Sequence, residues 1–353
     1  MNNSVKIAVA MSGGVDSSVA ALLATKNNKN ALGVTMSVFE GASEQDSIDA
    51  AAVAERLGFE HVTLDLSDEF RETVMRYFSD SYIAGETPNP CVFCNKAIKF
   101  GVLFDRVNAL GCDIIATGHY ARTSKDASGR ILLEKAVYTE KDQSYVLWQL
   151  SQKQLASARF PLGGYTKPQV REIAAEYGFE SSNRPDSQDI CFVPDGNYRR
   201  FIEEFTGRIF PEGDFVGTDG KLWGRHNGLI GYTIGQRKGL GISAPAPLYV
   251  IRKNVEENRV YLGAHEELFS RRVELRDINL IAVEKLDAPL RVTAKTRYSQ
   301  KESAATLIQT GESTAVLEFD EPQRAVTCGQ SAVFFNGDTV VGGGIINPNP
   351  EKG

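Results

Sequence analysis

No apolar run in this sequence of 353 residues approaches the ~18 residues that a membrane-spanning helix needs. The segment Met1-Asn2-Asn3-Ser4 leads directly into a strand pattern, without the basic, apolar and cleavage regions of a signal peptide. A membrane-spanning or secreted protein is therefore not expected. With 42% hydrophobic and 24% charged residues, the composition is that of a soluble globular protein, and we expect it in the cytoplasm with no membrane partner.

An excess of positive charge is also missing. The formal net charge of −6 argues weakly against a nucleic-acid partner, because phosphate binding favours a basic surface. Net charge does not describe local patches, however, and one stretch of about forty residues contains Arg199, Arg200, Arg208, Lys221, Arg225, Arg237 and Lys238. These residues form either an RNA-binding surface or a scattered solvated face, and interleaved acidic residues favour the solvated face.

The cysteines do not come in an even number. There are five, Cys91, Cys94, Cys112, Cys191 and Cys328, and an odd count in a cytoplasmic chain argues against a disulfide framework. Cys112 and Cys328 lie in apolar runs, as expected of packing residues. The other three are candidates for reactive or metal-binding thiols.

Two common phosphate-binding signatures are absent as well: the GxxxxGK[ST] loop with its lysine, and the dinucleotide motif GxGxxG. The chain has instead a buried-strand pattern over 5–10, a turn of small residues, and the start of a helix. The turn and the residues beside it are Ala10, Met11, Ser12, Gly13, Gly14, Val15, Asp16, Ser17 and Ser18. Two glycines permit a tight turn, and the N–H groups at the positive end of the new helix face its interior. The segment predicts an anion site suited to phosphate.

Its SGGxDSS pattern resembles the pyrophosphate loop of ATP pyrophosphatases, which cleave ATP between the α- and β-phosphates and leave an adenylated substrate.

Alternating strands and helices follow this loop and predict a parallel, doubly wound sheet. A helix capped by Ser43 is expected to end at Gly58, and Met36, Gly118 and His119 fall at the ends of predicted strands. Ligands of such sheets lie outside the carboxyl ends of the strands, so Met36 is either an adenine contact or a core residue.

The sequence pattern changes at Gly207, where glycines and short runs of alternating apolar and polar residues replace the helical pattern. We therefore predict an α/β protein in three parts. Residues 1–206 form a doubly wound parallel sheet of the pyrophosphatase-loop type, residues 207–271 a small β-rich module, and residues 272–353 a C-terminal β-barrel.

A proline-broken loop carries the first two candidate thiols, in Thr87-Pro88-Asn89-Pro90-Cys91-Val92-Phe93-Cys94. The prolines stiffen the loop and deliver Cys94 to a helix predicted to start at about Asn95. The positive helix end and the CxxC spacing both favour thiolate over thiol. Cys94 is therefore predicted to be a nucleophile.

Several long motifs occur in one order along the chain: SGGVDSS, NPCVFCNKAIKF, ATGHYAR, KDQSYVL, DSQDICFVPDGNYRRF and GYTIGQRKGLGI. In this order and spacing they closely resemble tRNA-uridine 2-sulfurtransferases, the MnmA/TrmU family, from about Val5 to Gly343. The resemblance implies that ATP with Mg²⁺ adenylates the C2 oxygen of the wobble uridine, position 34, in the tRNAs for glutamate, glutamine and lysine. Sulfur then comes from an enzyme persulfide, which a cysteine desulfurase or a sulfur-relay protein must supply.

The resemblance also implies roles for individual residues. ATP would bind Ala10, Met11, Ser12, Gly13, Gly14, Val15, Asp16, Ser17, Met36 and Gly118. Cys94 matches the family nucleophile and Cys191 the cysteine that carries the persulfide. Asn89, Pro90 and Cys91 would meet the target base, and tRNA would contact His119, Lys141, Asp142, Gln143, Arg297, Tyr298 and Gln330.

Cys91 departs from the family pattern, because many relatives have aspartate at this position. A thiol is a weaker hydrogen-bond partner than a carboxylate and does not replace it directly. Together, Cys91, Cys94 and Cys191 are also a ligand set for an iron–sulfur cluster with one open iron, or for zinc with a fourth ligand. Persulfide chemistry without a metal is the preferred interpretation.

Two other functions are weighed against this one. A ligase that amidates or lysinylates an adenylated substrate would use the same loop but does not need three cysteines. An RNA-binding module whose CxxC holds zinc would bind tRNA without turning over ATP.

Overall fold

A computed structural model describes residues 5–39, 44–179 and 190–348 of the chain. The predicted cap Ser43 and the segment Asp186–Asp189 of the DSQDICF motif lie outside these residues. The helices are α1 (Val15–Thr25), α2 (Glu44–Leu57), α3 (Ser67–Phe70), α4 (Arg76–Ile83), α5 (Pro90–Cys94), α6 (Leu103–Ala109), α7 (Gln152–Ser157), α8 (Lys167–Glu176) and α9 (Tyr198–Thr206). Of the helices in these ranges, none combines the length and apolar composition needed to cross a membrane.

The strands are short in the first half of the chain and longer in the second. They are β1 (Ile7–Ala10), β2 (Ala31–Ser37), β3 (Glu60–Asp65), β4 (Ile114–Ala116), β5 (Ala121–Lys125), β6 (Ile131–Lys135), β7 (Ala158–Arg159), β8 (Gly213–Gly217), β9 (Leu222–His226), β10 (Tyr249–Asn254), β11 (Arg259–Gly263), β12 (Phe269–Leu280), β13 (Leu290–Lys295), β14 (Ser303–Gln309), β15 (Ala315–Arg324), β16 (Ser331–Asn336) and β17 (Thr339–Ile346). The chain divides into two compact units. Unit 1 comprises Met1–Met75, Cys91–Gln188 and Gly337–Gly342, and unit 2 comprises the remainder.

Unit 1 is built on a parallel sheet with the strand order β3-β2-β1-β4-β7. The chain winds outward from β1 to β3 and then returns to place β4 on the other side of β1. This confirms the predicted doubly wound sheet. The point where the order reverses lies between β1 and β4, and ligands of such sheets bind at the carboxyl ends of the strands there.

An apolar core fixes α1 and α8 in unit 1. Val9 of β1, Val19 and Ala20 of α1, and Val170 of α8 are buried in one cluster. The first turn of α8 has a capping box in which Thr166 and Gln169 satisfy each other's backbone N–H groups. The start of α8 is thereby fixed next to α1.

The second half of the chain forms a mixed sheet and a barrel, most of whose strands belong to unit 2. A mixed sheet has the order β10-β11-β8-β9, with Phe215, Val250 and Leu262 in its core. The order β12-β15-β14-β13-β16-β17, closed by pairing of β12 with β17, forms a six-stranded barrel, as predicted for the C-terminal part. The predicted boundaries at 206/207 and 271/272 remain predictions.

The helical segment from Ser67 to Ile83 is not a regular α-helix. A π-helical segment, Arg71–Met75, separates α3 from α4, and a second one, Asn95–Val102, separates α5 from α6. π-Helical turns widen the helix and leave some carbonyls without their usual partners. At the second segment, the side-chain amide of Gln154 donates to the carbonyls of Lys96 and Phe100 at 3.0 and 2.9 Å, which offsets that loss.

Candidate functional site

The loop between β1 and α1 forms an open cradle at the switch point of the sheet. Gly14 is the N-cap residue of α1 and makes no side-chain cap, so the first N–H groups of the helix remain available to a ligand. The loop is tied together from within, because the backbone N–H of Ser12 donates to Ser17 Oγ at 3.1 Å and Ser17 Oγ donates to the Gly14 carbonyl at 2.9 Å. This geometry suits a phosphate group.

Two glycines are required for this cradle by close contacts. Gly13 has a φ of +66°, and a Cβ there would lie 2.7 Å from the backbone oxygen of Asp46 in α2. Gly118, which follows β4, would place a Cβ 3.1 Å from the backbone nitrogen of Ser17. The structure therefore brings Gly118 to the loop, as its predicted place at the end of a neighbouring strand suggested.

Asp16, in the first turn of α1, is held by two residues from other elements. Lys167 Nζ lies 2.8 Å from both carboxylate oxygens of Asp16, and the hydroxyl of Tyr120 donates to one of them at 2.8 Å. Lys167 is 6% exposed and is the first residue of α8. A lysine at a positive helix end is unfavourable by itself, so Asp16 is the charge that compensates it.

Lys167 was missed by the sequence reasoning. The pair joins residues 151 positions apart, and short motifs do not report contacts at that distance. The one available signal was a lysine directly after the Thr166 cap, where the helix dipole favours acidic side chains.

Met36 lies near the carboxyl end of β2, where its backbone is in register with Leu64 of β3. The side chain is half-buried. Both interpretations of Met36, core packing and adenine contact, remain predictions.

The structure corrects the predicted helix start in the cysteine loop. Helix α5 begins at Pro90, not at about Asn95, because proline is favoured at the first helical position, where its missing N–H costs nothing. Cys91 is therefore in the first turn, and Cys94 is the last residue of α5. The positive helix end acts on the first turn, so that part of the argument for a Cys94 thiolate was wrong.

The thiols differ in their surroundings. Cys91 is exposed by surface area, yet the protein packed around its sulfur raises the pKa of the thiol, with Lys99 opposing that rise. Cys94 is half-buried, and Cys191, in unit 2, is exposed. Cys112 is fully buried, and burial raises its pKa, as expected of an inert packing residue.

The predicted tRNA contacts near β4 and β5 have internal partners. His119 is buried between Phe100 and Phe160, and its Nδ1 lies 2.8 Å from Thr117 Oγ1. Burial, with the positive charge of Lys99, lowers the pKa of His119 well below its usual value of 6.5, so the imidazole is neutral at pH 7. A neutral, buried imidazole does not attract phosphate.

Lys141, Asp142 and Gln143 lie at the junction between two short 3₁₀ turns. Lys141 ends a short 3₁₀ turn, Thr139–Lys141. The Asp142 carboxylate accepts from the backbone N–H groups of Ala136 and Ser144, and Gln143 Oε1 accepts from the backbone N–H of Tyr120 at 2.9 Å. Asp142 and Gln143 thus hold local turns, and the tRNA contacts remain predictions.

The remaining predicted contacts belong to unit 2. One Arg297 guanidinium nitrogen donates to the carbonyls of Ile234 and Ala325 and to Thr327 Oγ1, whereas Tyr298 is 43% exposed. Gln330 donates to two backbone carbonyls of the segment before Asn89. Of these three residues, only Tyr298 has an exposed side chain.

Three of the seven residues of the basic stretch in unit 2 lie close to carboxylates. Arg199 lies 2.9 Å from Glu203, Arg200 2.7 Å from Asp195 and Arg225 3.5 Å from Glu212. Lys221 lies over the Trp223 ring at 3.9 Å. Exposed pairs of this kind are weak and do not distinguish the two interpretations, so the RNA-binding surface and the solvated face both remain predictions.

Within residues 5–39, 44–179 and 190–348, no group of three or more His, Cys, Asp or Glu side chains is arranged to hold a metal ion. The cluster and zinc interpretations therefore rest on the sequence alone.

The parallel sheet, the open cradle at its switch point and the pairing of Asp16 with the buried Lys167 define the class: a nucleotide-binding protein of the ATP-pyrophosphatase type. Three family models match the chain: a tRNA methyl transferase HUP domain over residues 5–195, a tRNA methyl transferase PRC-barrel domain over 199–264, and an aminomethyltransferase β-barrel domain over 270–346.

Curated relatives are similar over nearly the whole length. The tRNA-specific 2-thiouridylase MnmA of Clostridioides difficile is 46% identical over 352 residues, covering 97% of this chain and 98% of that protein. The enzyme of the same name from Acetivibrio thermocellus is 45% identical, covering 97% of this chain and 99% of that protein. The chain belongs to the family of tRNA-specific 2-thiouridylases, which are sulfurtransferase enzymes.

A solved structure of a 4-thiouridine synthetase–RNA complex with bound ATP is 19% identical to the chain, with a TM-score of 0.34. The match covers 57% of this chain and 50% of that one. The family assignment rests on the family models and the curated relatives.

Proposed function

We propose that this protein catalyses ATP-dependent 2-thiolation of the wobble uridine, position 34, in the tRNAs for glutamate, glutamine and lysine. The observation that supports this most strongly is the phosphate cradle, with its Asp16–Lys167 pair, in the same unit as Cys91 and Cys94. Relatives 45–46% identical over nearly their full length carry the name tRNA-specific 2-thiouridylase.

The first step is activation of the base. The C2 oxygen of uridine attacks the α-phosphorus of ATP, pyrophosphate leaves, and the oxygen becomes part of an AMP leaving group. The N–H groups at the start of α1 would bind the departing phosphates, and Gly13 and Gly118 would allow the backbone to approach them. Lys167 would add a positive charge for the pyrophosphate once its ion pair with Asp16 opens.

Mg²⁺ fits the charge pattern of this loop. The Asp16 carboxylate is a hard oxygen ligand of the kind Mg²⁺ prefers, and it lies at the helix end where the phosphates are expected. Bound Mg²⁺ supplies neutralisation of charge on the leaving pyrophosphate. If Asp16 turned to Mg²⁺, Lys167 would be released toward the phosphates.

The second step transfers sulfur and needs two cysteines. The terminal sulfur of a Cys191 persulfide attacks C2, and AMP leaves. The Cys94 thiolate then attacks the Cys191 sulfur, which breaks the S–S bond to the transferred sulfur and leaves a Cys94–Cys191 disulfide. An external dithiol must reduce this disulfide, and a sulfur-donor protein must reload Cys191, before the next turnover.

The test is anaerobic thiolation of an unmodified glutamate tRNA with ATP and Mg²⁺. Sulfur is supplied as radiolabelled cysteine with a cysteine desulfurase, and product is scored by mercury-affinity gel shift. Wild type is compared with Cys91→Ser, Cys94→Ser and Cys191→Ser, with the fully buried Cys112→Ser as matched control. We expect loss of product for Cys94→Ser and Cys191→Ser alone.

Each contrary outcome identifies a different error. Full thiolation by Cys94→Ser would show that Cys94 is not the nucleophile, whereas ATP turnover by the wild type without thiolated product would favour a ligase that uses the same adenylate. Loss of activity in all three cysteine variants, with iron and labile sulfide in the wild type, would establish a cluster. Binding of tRNA without ATP turnover would indicate a non-catalytic RNA-binding module.

A further inference from the structure

The segment that leads into α5 is fastened, within unit 2, by residues from the far end of the sequence. The backbone N–H of Thr87 donates to the carbonyl of Cys328 at 2.8 Å. The side-chain amide of Gln330 donates to the carbonyls of Thr87 and Pro88 at 2.8 and 3.2 Å. Three hydrogen bonds therefore hold the main chain directly before Asn89 and Pro90.

A cluster of ionisable side chains holds Glu86, the residue before this main-chain anchor. Arg276 of β12 lies 2.9 Å from the Glu86 carboxylate, and the two side chains are 32% and 18% exposed. The Cys328 thiol donates to the other carboxylate oxygen at 3.4 Å. Burial and the Glu86 charge raise the pKa of Cys328 to about 12, so it stays a thiol donor. Lys253 adds positive charge near the same carboxylate.

Close approach at this anchor requires a glycine. Gly329 has a φ of +86°, and a Cβ there would lie 2.7 Å from the Cβ of Glu86 and 2.9 Å from the backbone nitrogen of Thr87. Neither atom is the flexible end of a side chain. A larger residue at 329 would therefore push the Glu86–Thr87 main chain away from the barrel.

We propose that Arg276 and Gln330 are positioning residues for the thiolation reaction. They hold the Glu86–Pro88 segment and thereby set the position of Asn89, Pro90 and Cys91, which are predicted to meet the target base. The inference rests on the proposed function. It gives Gln330 a role different from the RNA contact predicted from the sequence, because the hydrogen bonds donated by its side-chain amide go to this segment.

The reason to fix this segment is geometric. It continues without a break into α5, so a displacement at Thr87 is passed to Cys91 over four residues of chain, two of which are prolines with a fixed φ. Reactions between bound groups are sensitive to misplacement of about 1 Å, which costs on the order of a hundredfold in rate. A positioning role therefore predicts a loss in kcat with little change in tRNA binding.

Steady-state thiolation kinetics separate positioning from RNA contact. For Gln330→Ala and Arg276→Met we expect kcat to fall by about tenfold or more while the KM for tRNA stays within about twofold. Arg276→Lys keeps the charge and should recover part of the loss. A raised, salt-dependent KM with unchanged kcat would instead make these residues RNA contacts and overturn the inference.

A glycine pair provides a matched control. Gly329→Ala combines a positive φ with collision against Glu86 and Thr87, whereas Gly337→Ala has a φ of +60° with no atom within 4 Å of the added Cβ. Gly329→Ala should reduce kcat strongly and Gly337→Ala little. Equal losses would mean that general backbone strain, and not the anchor, lowers the rate.

Amide hydrogen exchange measures how firmly the Glu86–Pro88 segment is held, without any thiolation assay. In the full-length enzyme without tRNA, exchange of a peptide covering residues 84–93 should quicken in Gln330→Ala and Gly329→Ala but not in Gly337→Ala. Unchanged exchange in the first two variants would overturn the inference even if thiolation is established. If exchange quickens in Gln330→Ala and Gly329→Ala but the wild-type enzyme thiolates no tRNA, the proposed function is overturned. The catalytic part of this inference then falls with it, although the anchor itself is established.

Discussion

The buried ammonium of Lys253 is expected to cost the protein stability at neutral pH. Lys253 lies on β10 in unit 2, and its Nζ is buried with no hydrogen-bond partner among the described residues. Burial lowers the pKa of Lys253 from 10.5 to about 8, although the nearby Cys328 and Glu86 oppose that shift. The unfolded chain keeps an ordinary lysine pKa, so folding is penalised wherever that lysine is charged.

The size of the cost follows from the two pKa values. A tenfold change in an ionisation constant corresponds to about 1.4 kcal/mol, so a pKa of about 8 in place of 10.5 corresponds to roughly 3 kcal/mol. Below about pH 8 both states are charged and the whole cost applies. Between about pH 8 and 10.5 the folded protein releases the proton first, so the cost fades and this contribution to stability rises with pH.

Replacing Lys253 with methionine keeps the long side chain and removes the charge. We expect Lys253→Met to raise the free energy of unfolding of unit 2 by up to roughly 3 kcal/mol at pH 7, and by much less near pH 10. Such a gain would mean that the charge is retained for its effect on Glu86 and not for stability.

Urea unfolding at the two pH values measures this difference, with tryptophan fluorescence as the probe. The chain has two tryptophans, so a Trp148→Phe background leaves Trp223, on β9 of unit 2, as the reporter. Lys238→Met, at an exposed site in the same unit, controls for the loss of one positive charge. Destabilisation by Lys253→Met at pH 7, or a gain that does not shrink toward pH 10, would refute the reasoning.

Three further predictions concern unit 1. Gly13→Ala should weaken ATP binding, measured by calorimetry, by about tenfold or more, because its Cβ would meet the Asp46 backbone. Gly129→Ala, with a φ of +87° and open space around the added Cβ, should not weaken ATP binding. Equal effects of the two substitutions would contradict the explanation by a clash at Gly13. Lys167→Met should raise the Kd for pyrophosphate by about tenfold and leave the Kd for AMP nearly unchanged. Equal changes in the two Kd values would mean that Lys167 has only a structural role. Because burial keeps the pKa of His119 well below 6.5, its ring carbon signals in NMR should not titrate between pH 6 and 8, and a titration there would show that the ring is solvated.

Local sequence patterns were sufficient for the nucleotide-binding part of the fold. The apolar strand before Met11, the two glycines and the helix that begins at Val15 are contiguous, and their conformations depend mainly on their own residues. Regular alternation of strands and helices then leaves few topologies for a parallel sheet, which is why the switch point was predictable.

Contacts between distant positions were not predictable in the same way. The Asp16–Lys167 pair and the Gln330 hydrogen bonds depend on how whole elements pack, and nothing at Gln330 itself indicates Pro88 as its partner. The start of α5 was a different kind of error. Pro90 was read as a loop residue because it follows Pro88 and Asn89, although proline also favours the first position of a helix.

The hydrogen bonds between Gln330 and Thr87 join positions 243 residues apart. During synthesis, Thr87 leaves the ribosome long before Gln330 has been added, so the loop ahead of Cys91 cannot reach its anchored state while the chain is growing. The nucleotide cradle can form early, because its strands and helices come from the first part of the sequence. Nascent chains would therefore bind nucleotide before they are competent for thiolation. A protein truncated before residue 330 would bind nucleotide but would not thiolate tRNA.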